Sequence, residues 1–450
     1  MPIIIPANSA ASGGFEVSNS LRFDTHDSDY LTRAASAFGT PTNRKKCTIS
    51  FWCKRSSLTV QQAVMGVETT PAGGSNEARL ILRGDDTLEL YDYQSGYKFR
   101  YITNRVFRDT SAWLHIVFSV DTTHPTGSAR VNLYINGVAE TSFSSTTDPA
   151  EDLDTFLNSG NYVQLGRQST GNSYYGGYLS EYVFIDGSAL APTDFGEFDE
   201  DSGIWKPKSV SGLSFGTNGF YLEFGNSGAL GTDSSGAGNT FTPVNLTSLD
   251  QSTDTCTNNF STLNSLNSWG ANVLSEGNLT ITSTSATAGH TQNTIHMNKG
   301  KWYMEFNVDT HSSGSSAPMF ILAGTGAYQQ QQTGFSTSGD GAYGIGSNGR
   351  SITDGVESGS VVFTELVNGD KVQIAFDADA GKAWFGINDV YLGSGNPSTG
   401  ANPYFTTTKL QNNDVSLTIL GYDTQGKASC NFGSPPYAIS SGNTDGNDHG

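Results

Sequence analysis

Three groups of residues in this 450-residue chain have the types and spacing to do chemistry. The first is Asp377 and Asp379 near Trp384, in the stretch KVQIAFDADAGKAWFGINDVYLGSGNP. Two carboxylates on one face of a strand could serve as an acid/base pair. The second is Asp24, Asp27 and Asp29 in LRFDTHDSDY, with Asp233 in DSSGAGN as a further member. Clustered carboxylates with loop carbonyls form the ligand set of calcium, a hard cation. The third is Tyr174 and Tyr175 in GNSYYGG and Tyr328 in TGAYQQQQTG. Flat aromatic faces stack on sugar rings and the neighbouring Asn and Gly suit a loop rim, so these tyrosines are the candidate glycan contacts.

Each group also has a reading without chemistry. Val372, Ile374, Phe376 and Ala378 alternate with Gln373, Ala375, Asp377 and Asp379, the period of a half-buried strand. Asp379, Ala380 and Gly381 then make a turn into KAWFGI, and Asn388-Asp389 makes a second turn into VYLG. That predicts a meander in which Lys382 faces Asp377 and Asp379 across the turn, and no catalysis is expected there. Asp24, Asp27, Asp29 and Asp233 also suit plain turn formation, and the tyrosines suit rim or subunit packing. The histidines show no HxxxH spacing, no Ser/His/Asp set stands out, and no Gly-rich loop opens a helix. Cys47 and Cys53 lie on one predicted strand with about 20 Å between them, too far to bridge, so buried thiols are expected.

The elements that must hold these groups are strands. Glycine is abundant, 53 residues, and short apolar runs alternate with Asn, Ser, Thr and Asp, as in an all-β protein with many turns. KCTISFWCKR, RLILRGDDTLELYDY, WLHIVFSV, ARVNLYINGVAETSF and YYGGYLSEYVFIDGSAL read as strands and hairpins, and Asn136-Gly137 is a strong type I′ turn signal. Only APTDFGEF suggests a helical turn, with Pro192 near its start and Thr193 and Asp194 as caps. Acidic residues outnumber basic ones by 43 to 24, a net charge of −19 that repels phosphate backbones and anionic membranes, so no nucleic acid partner is expected. No apolar run approaches the ~18 residues of a membrane helix, so no membrane insertion is expected. MPIIIPANSAASGGFE lacks a basic leader, so the chain is expected to be made and left in a cytoplasm.

The motifs LRFDTHDSDY, WLHIVFSV with LYINGV, and GYLSEYVFIDGSAL resemble the laminin-G-like, concanavalin A-like family. GFYLEFGNSGALGTDSSGAGNTFT looks like that family's first strand and loop displaced to the end, which implies a circularly permuted sandwich. Further along, GKWYMEF, YGIGSNGR, GDKVQIAFDADAGKAWFGIND and NFGSPPY occur in the order of a SPRY domain. The resemblance implies that Asp377, Asp379 and Trp384 sit where that family has a structural hairpin. The expected fold class is therefore all-β, two jelly-roll concanavalin A-like antiparallel β-sandwiches in tandem. The expected organisation is an attachment segment at 1–19, a laminin-G-like sandwich at 20–245, a linker at 246–268, a SPRY-like sandwich at 269–438 and a tail at 439–450.

The laminin-G shape is shared by glucan hydrolases with an E-x-D-x-(x)-E strand. The nearest match, Glu197 to Asp201 in EFDED, ends in Asp and follows the helical turn, so no enzyme is expected. The two sandwiches with a DSSGAGN and TDTCTNNFSTLN connector behind MPIIIPANSAASGGFEV resemble structural proteins of marine tailed bacteriophages. That resemblance implies a virion surface protein assembled in the host cytoplasm, a tail fibre, adhesin or head decoration. It implies other virion proteins as partners, a homo-oligomer, and host-surface carbohydrate as a ligand; an architectural subunit without a ligand and a depolymerase remain alternatives.

Overall fold

The computed structural model describes residues 14–439 except 71–73, 169–172, 271, 285–288, 312–316, 325–340 and 422–425. The chain divides into two compact units, Met1–Asn259 and Phe260–Gly450. Both are antiparallel β-sandwiches, and apart from single-turn 3-10 segments the described elements are strands.

In the first unit one sheet runs from Val138–Glu140 through Val131–Ile135, Leu114–Asp121, Lys46–Arg55 and Gly177–Asp186 to Ser20–Phe23 and Gln251–Ser252. Phe220–Leu222 also pairs with Gly177–Asp186, end to end with Ser20–Phe23 along the same edge. The facing sheet runs from Phe143–Thr147 through Tyr97–Val106, Thr87–Gln94, Asn76–Leu82, Gln62–Glu68 and Tyr162–Leu165 to Tyr30–Arg33 and Thr242–Val244. The alternation read from sequence decides which side chains meet between them. Val131, Leu133 and Ile135 point inward while Asn132 and Tyr134 point out. Asn136 and Gly137 both have positive φ, 49° and 77°, as a type I′ turn requires.

Lys46–Arg55 is buried on both faces, which a two-layer sandwich does not explain. Cys47, Ile49, Phe51 and Cys53 fill the core, whereas Trp52 and Lys54 are covered from outside. The cover is a third layer. Phe195 and Val210 pack on Val117, Val183 and Ile185, and Trp205 joins Trp52, Trp113 and Tyr178. Trp205 lies so close over Gly137 that a Cβ there would stand 2.3 Å from the indole. Its helical turn, Pro192–Asp194, is held by the Asp194 carboxylate accepting from the Ala191 amide.

The segment after Leu246 completes the cover and belongs to the sandwich. Asp254 accepts from the fully buried Lys54 ammonium at 2.8 Å and from the Trp113 indole at 2.9 Å. Arg22 reaches Asp250 at 3.1 Å. The stretch 246–268, expected as a linker, is thus divided: its first part closes the first unit, and Leu263–Trp269 is an edge strand of the second. The stretch is polar because Asp250 and Asp254 pair with the buried Arg22 and Lys54.

The second unit pairs a sheet running from Leu263–Trp269 to Val356–Glu357 with one running from Asn272–Ser275 to Val390–Tyr391. Phe306, Phe320, Phe376, Phe385 and Ile419 lie between them. Lys371–Asp377 and Lys382–Ile387 pair in register around the predicted turn, and Asn388 and Asp389 both carry positive φ.

Breaking the ion pair under the outer layer should unfold the first unit early. Asp254→Ala leaves the Lys54 ammonium buried without its counter-charge, at a cost of about 3 to 5 kcal/mol. Urea unfolding followed by tryptophan fluorescence checks this; a loss below about 1 kcal/mol would show that the pair does not hold the layer.

Candidate functional site

The candidate site is a loop neck at the edge of the second sheet of the first unit. Tyr162–Leu165 ends at Gly166, and the chain returns at Tyr175, whose amide donates to the Gly166 carbonyl at 2.8 Å. Gly166 is required there: its φ is 84°, and a Cβ would stand 2.8 Å from the Phe23 ring. The two tyrosines of GNSYYGG part at this neck, because neighbours in an extended chain point to opposite sides. Tyr175 turns inward and is fully buried, edge-on to Phe23 at 5.9 Å, with its hydroxyl donating to the carbonyls of Lys54 and Tyr178 at 3.3 Å. Tyr174 turns outward and is half-buried.

Arg167 leaves the other side of the neck. Its guanidinium lies over Tyr30 at 4.8 Å and over Tyr174 at 5.4 Å, and the two rings stand 6.4 Å apart. Beside Tyr30 on the same face, Thr32 donates to the Tyr162 hydroxyl at 2.6 Å. The result is a rim of two aromatic rings, a cation and two hydroxyls. Tyr30 and Arg167 were not picked out from sequence; the signal was an arginine directly after a turn glycine, and nothing marked Tyr30 as its neighbour.

Of the tyrosines expected to touch glycan, Tyr174 is on this rim. Tyr175 is not available to a ligand, and that expectation is corrected: its ring is the anchor of the neck. Tyr328 lies outside the described residues.

The calcium set does not form a site. Asp24 accepts from the backbone amide and the ring of His26, and Asp29 accepts from the Asp24 amide. Asp27 is exposed. Burial pushes the Asp29 carboxyl up to about 7, with Asp250, Asp27 and Asp24 adding to the effect. Asp233 is tied up in its own turn, accepting from the amides of Tyr221, Ser235 and Asn239. Among the described residues no three His, Cys, Asp or Glu side chains are placed to hold a metal ion. The donors therefore do not fit calcium, and turn formation accounts for them.

The acid and base groups are also held in structural roles. Asp377 accepts from the Ala380 amide and Asp379 from the Gly300 amide, while the Trp384 indole donates to the Ala401 carbonyl. Asp199 in EFDED accepts from Ser202 and Lys206. Glu68 and Glu77 face each other across paired strands, but the Arg79 guanidinium stands between them at 3.1 and 2.5 Å. A buried His115 contacts Ser50 at 2.9 Å, which could suggest an activated nucleophile. The Trp205 indole donates to His115 Nδ1 at 3.0 Å, so the ring proton sits on Nε2 and is donated to Ser50. That polarity is opposite to a base taking a proton from serine. Burial holds His115 down at about 3, well below the usual imidazole range.

One buried acid is strained. Glu181 sits at an irregularity in the pairing of Gly177–Asp186 with Lys46–Arg55, at φ 48°, and accepts from the Tyr221 hydroxyl at 2.6 Å. Burial pushes its carboxyl up to about 7.

Residues 24–194 match the family model of the concanavalin A-like lectin/glucanases superfamily. No curated protein sequence matches the chain. Among solved structures, the SPRY domain of human HERC1 is 13% identical, with 37% of this chain and 96% of that one covered and a TM-score of 0.29. A proposed carbohydrate-binding protein from Bacteroides ovatus is 16% identical, with 51% and 58% covered and a TM-score of 0.36. Domain 4 of AbnA, an extracellular arabinanase from Geobacillus stearothermophilus, in complex with arabinotriose, is 21% identical, with 35% and 66% covered and a TM-score of 0.25. The chain thus spans 58% and 66% of the last two.

Two outcomes test this geometry. Tyr175→Ala should cost about 3 to 5 kcal/mol through loss of a buried ring, whereas Tyr174→Ala should stay within about 1 kcal/mol of the parent in urea. Equal costs would contradict the inward and outward assignment. Glu181, raised from an ordinary 4.5 to about 7, binds its proton more tightly when folded. Its contribution to stability is therefore present at low pH and lost as pH rises from about 4.5 through about 7. Melting temperature measured against Glu181→Gln should favour the parent progressively as pH falls across that window, and a pH-independent difference would show that the carboxyl titrates normally.

Proposed function

We propose that this protein is a non-enzymatic carbohydrate-binding protein of a bacteriophage particle surface, a tail fibre, adhesin or head decoration that engages host-surface glycan through its first sandwich. The observation that carries the binding reading is the Tyr30 and Tyr174 pair, held at the loop neck while Tyr175 takes the load of anchoring. Aromatic rings at a rim, bordered by the hydroxyls of Thr32 and Tyr162, suit the apolar face and the hydroxyl edge of a sugar. The superfamily matched over residues 24–194 is one of lectins and glucanases, which supports a saccharide ligand.

The non-enzymatic reading is supported by the acid groups. A glycosidase needs two carboxyl groups with the scissile bond between them. Here the space between Glu68 and Glu77 holds Arg79, and Asp199 of EFDED holds a turn and a lysine. The virion setting is supported by the connector and the segment MPIIIPANSAASGGFEV, which resemble those of phage structural proteins, and partners there are other virion proteins and copies of this chain.

A second reading, an architectural subunit without a ligand, is favoured by one observation. Val361, Val362 and Val367 in the second unit are 61%, 50% and 60% exposed, as a subunit contact would leave them in an isolated chain.

A glycan array with the purified chain separates the two. The binding reading predicts specific capture that falls at least about tenfold in Tyr174→Ala and in Tyr30→Ala, with melting temperatures close to the parent. Capture unaffected by either substitution would move the contact elsewhere, and no capture at all would leave the architectural reading.

A further inference from the structure

Arg167 differs from the other arginines. Among the described residues its guanidinium makes neither a hydrogen bond nor an ion pair; its interactions are the two tyrosine rings. The others each reach a carboxylate or a main-chain carbonyl: Arg79 lies between Glu68 and Glu77, Arg100 on Glu89, Arg130 on Glu151, Arg44 on the Thr155 carbonyl. In a chain with 43 acidic residues against 24 basic ones, an arginine without a counter-charge is not explained by scarcity of partners. Its Nε is shielded from solvent and has no acceptor, a state shared by the Nε of Arg22, Arg33, Arg55, Arg79 and Arg83. Those five reach oxygens through their terminal nitrogens, and Arg167, among the described residues, does not.

The shape of the cation also decides what can approach. A guanidinium donates in its own plane, through five N–H groups in a fixed fork. Both tyrosine rings take the Cζ over their own faces and offer no oxygen to these N–H groups. A planar acceptor with two oxygens is the group that matches this fork, and a carboxylate pairs with it through two parallel bonds.

We infer that the rim takes an acidic saccharide, whose ring carboxylate docks on Arg167 with Tyr30 and Tyr174 bordering the sugar. This rests on the carbohydrate-binding reading and narrows it to sugars bearing a carboxylate, either uronates or sialates. The predominantly acidic chain sharpens the choice, because a cation without a carboxylate partner among the described residues is a local feature that would draw such a ligand against the net charge of −19.

The test is titration calorimetry of the intact chain with oligogalacturonate, with its methyl ester, and with sialyllactose against lactose. At least one acidic sugar should bind about tenfold or more tightly than its neutral counterpart, and Arg167→Gln should erase that difference. Arg167→Lys keeps the charge without the fork and should recover only part of it, and both variants should melt within a few degrees of the parent. Uronate binding without sialate binding, or the converse, identifies the source of the carboxylate. Neutral forms bound as tightly as acidic ones, or acidic binding unchanged in Arg167→Gln, overturn the inference while leaving carbohydrate binding in place. If no saccharide of either kind binds, both fall together.

Discussion

Tyr175 sets its ring against Phe23 and its hydroxyl on two main-chain carbonyls, and that burial fixes where the chain re-enters the sandwich after Gly166. A fully buried tyrosine contributes several kcal/mol of apolar burial, and its hydroxyl must find a partner inside. Both conditions are met at one position. The neck bond from Tyr175 to Gly166 follows, and with it the placing of Arg167 and Tyr174 as neighbours on opposite legs. The rim is therefore a consequence of core packing. A site built this way is held by the core, with Tyr30 supplied by the strand Tyr30–Arg33.

The same unit uses buried charge on its other side. Lys54 and Arg22 would be exposed on the outer face of a two-layer sandwich. Here Asp254 and Asp250 cover them, together with the Trp113 indole. Desolvating such pairs gains little net stability, but a wrong register would leave a charge buried without a partner. The pairs thus act as a register lock for a segment that has little apolar surface of its own. Trp205 does the corresponding work for the earlier part of the layer, stacking on His115 and passing over Gly137.

Much of the architecture was legible in the sequence because its signals are local. Period-2 alternation in VNLYI and KVQIAFD, and turn pairs at Asn136-Gly137 and Asn388-Asp389, act over a few residues and appear in the structure where they were read. What was missed is non-local. Nothing in the linear text says that Lys54 meets Asp254 or that Arg167 stands over both Tyr30 and Tyr174. The adjacent tyrosines of GNSYYGG are identical in type, and only the neck geometry tells which one turns inward. The aspartates near the start looked like a cation site by count, yet Asp24 Oδ1 and Asp29 Oδ2 accept from neighbouring amides and from His26, and no three carboxylates converge among the described residues. Clustering in sequence did not produce convergence in space.

Hydrogen exchange on the intact chain, with and without the tightest-binding saccharide, tests the central claim that a core-anchored rim is the ligand site. The account predicts that the saccharide protects peptides containing Tyr30, Arg167 and Tyr174 and leaves the strands of the second unit unchanged. Protection confined to the second unit, with those three peptides unaffected, would contradict it.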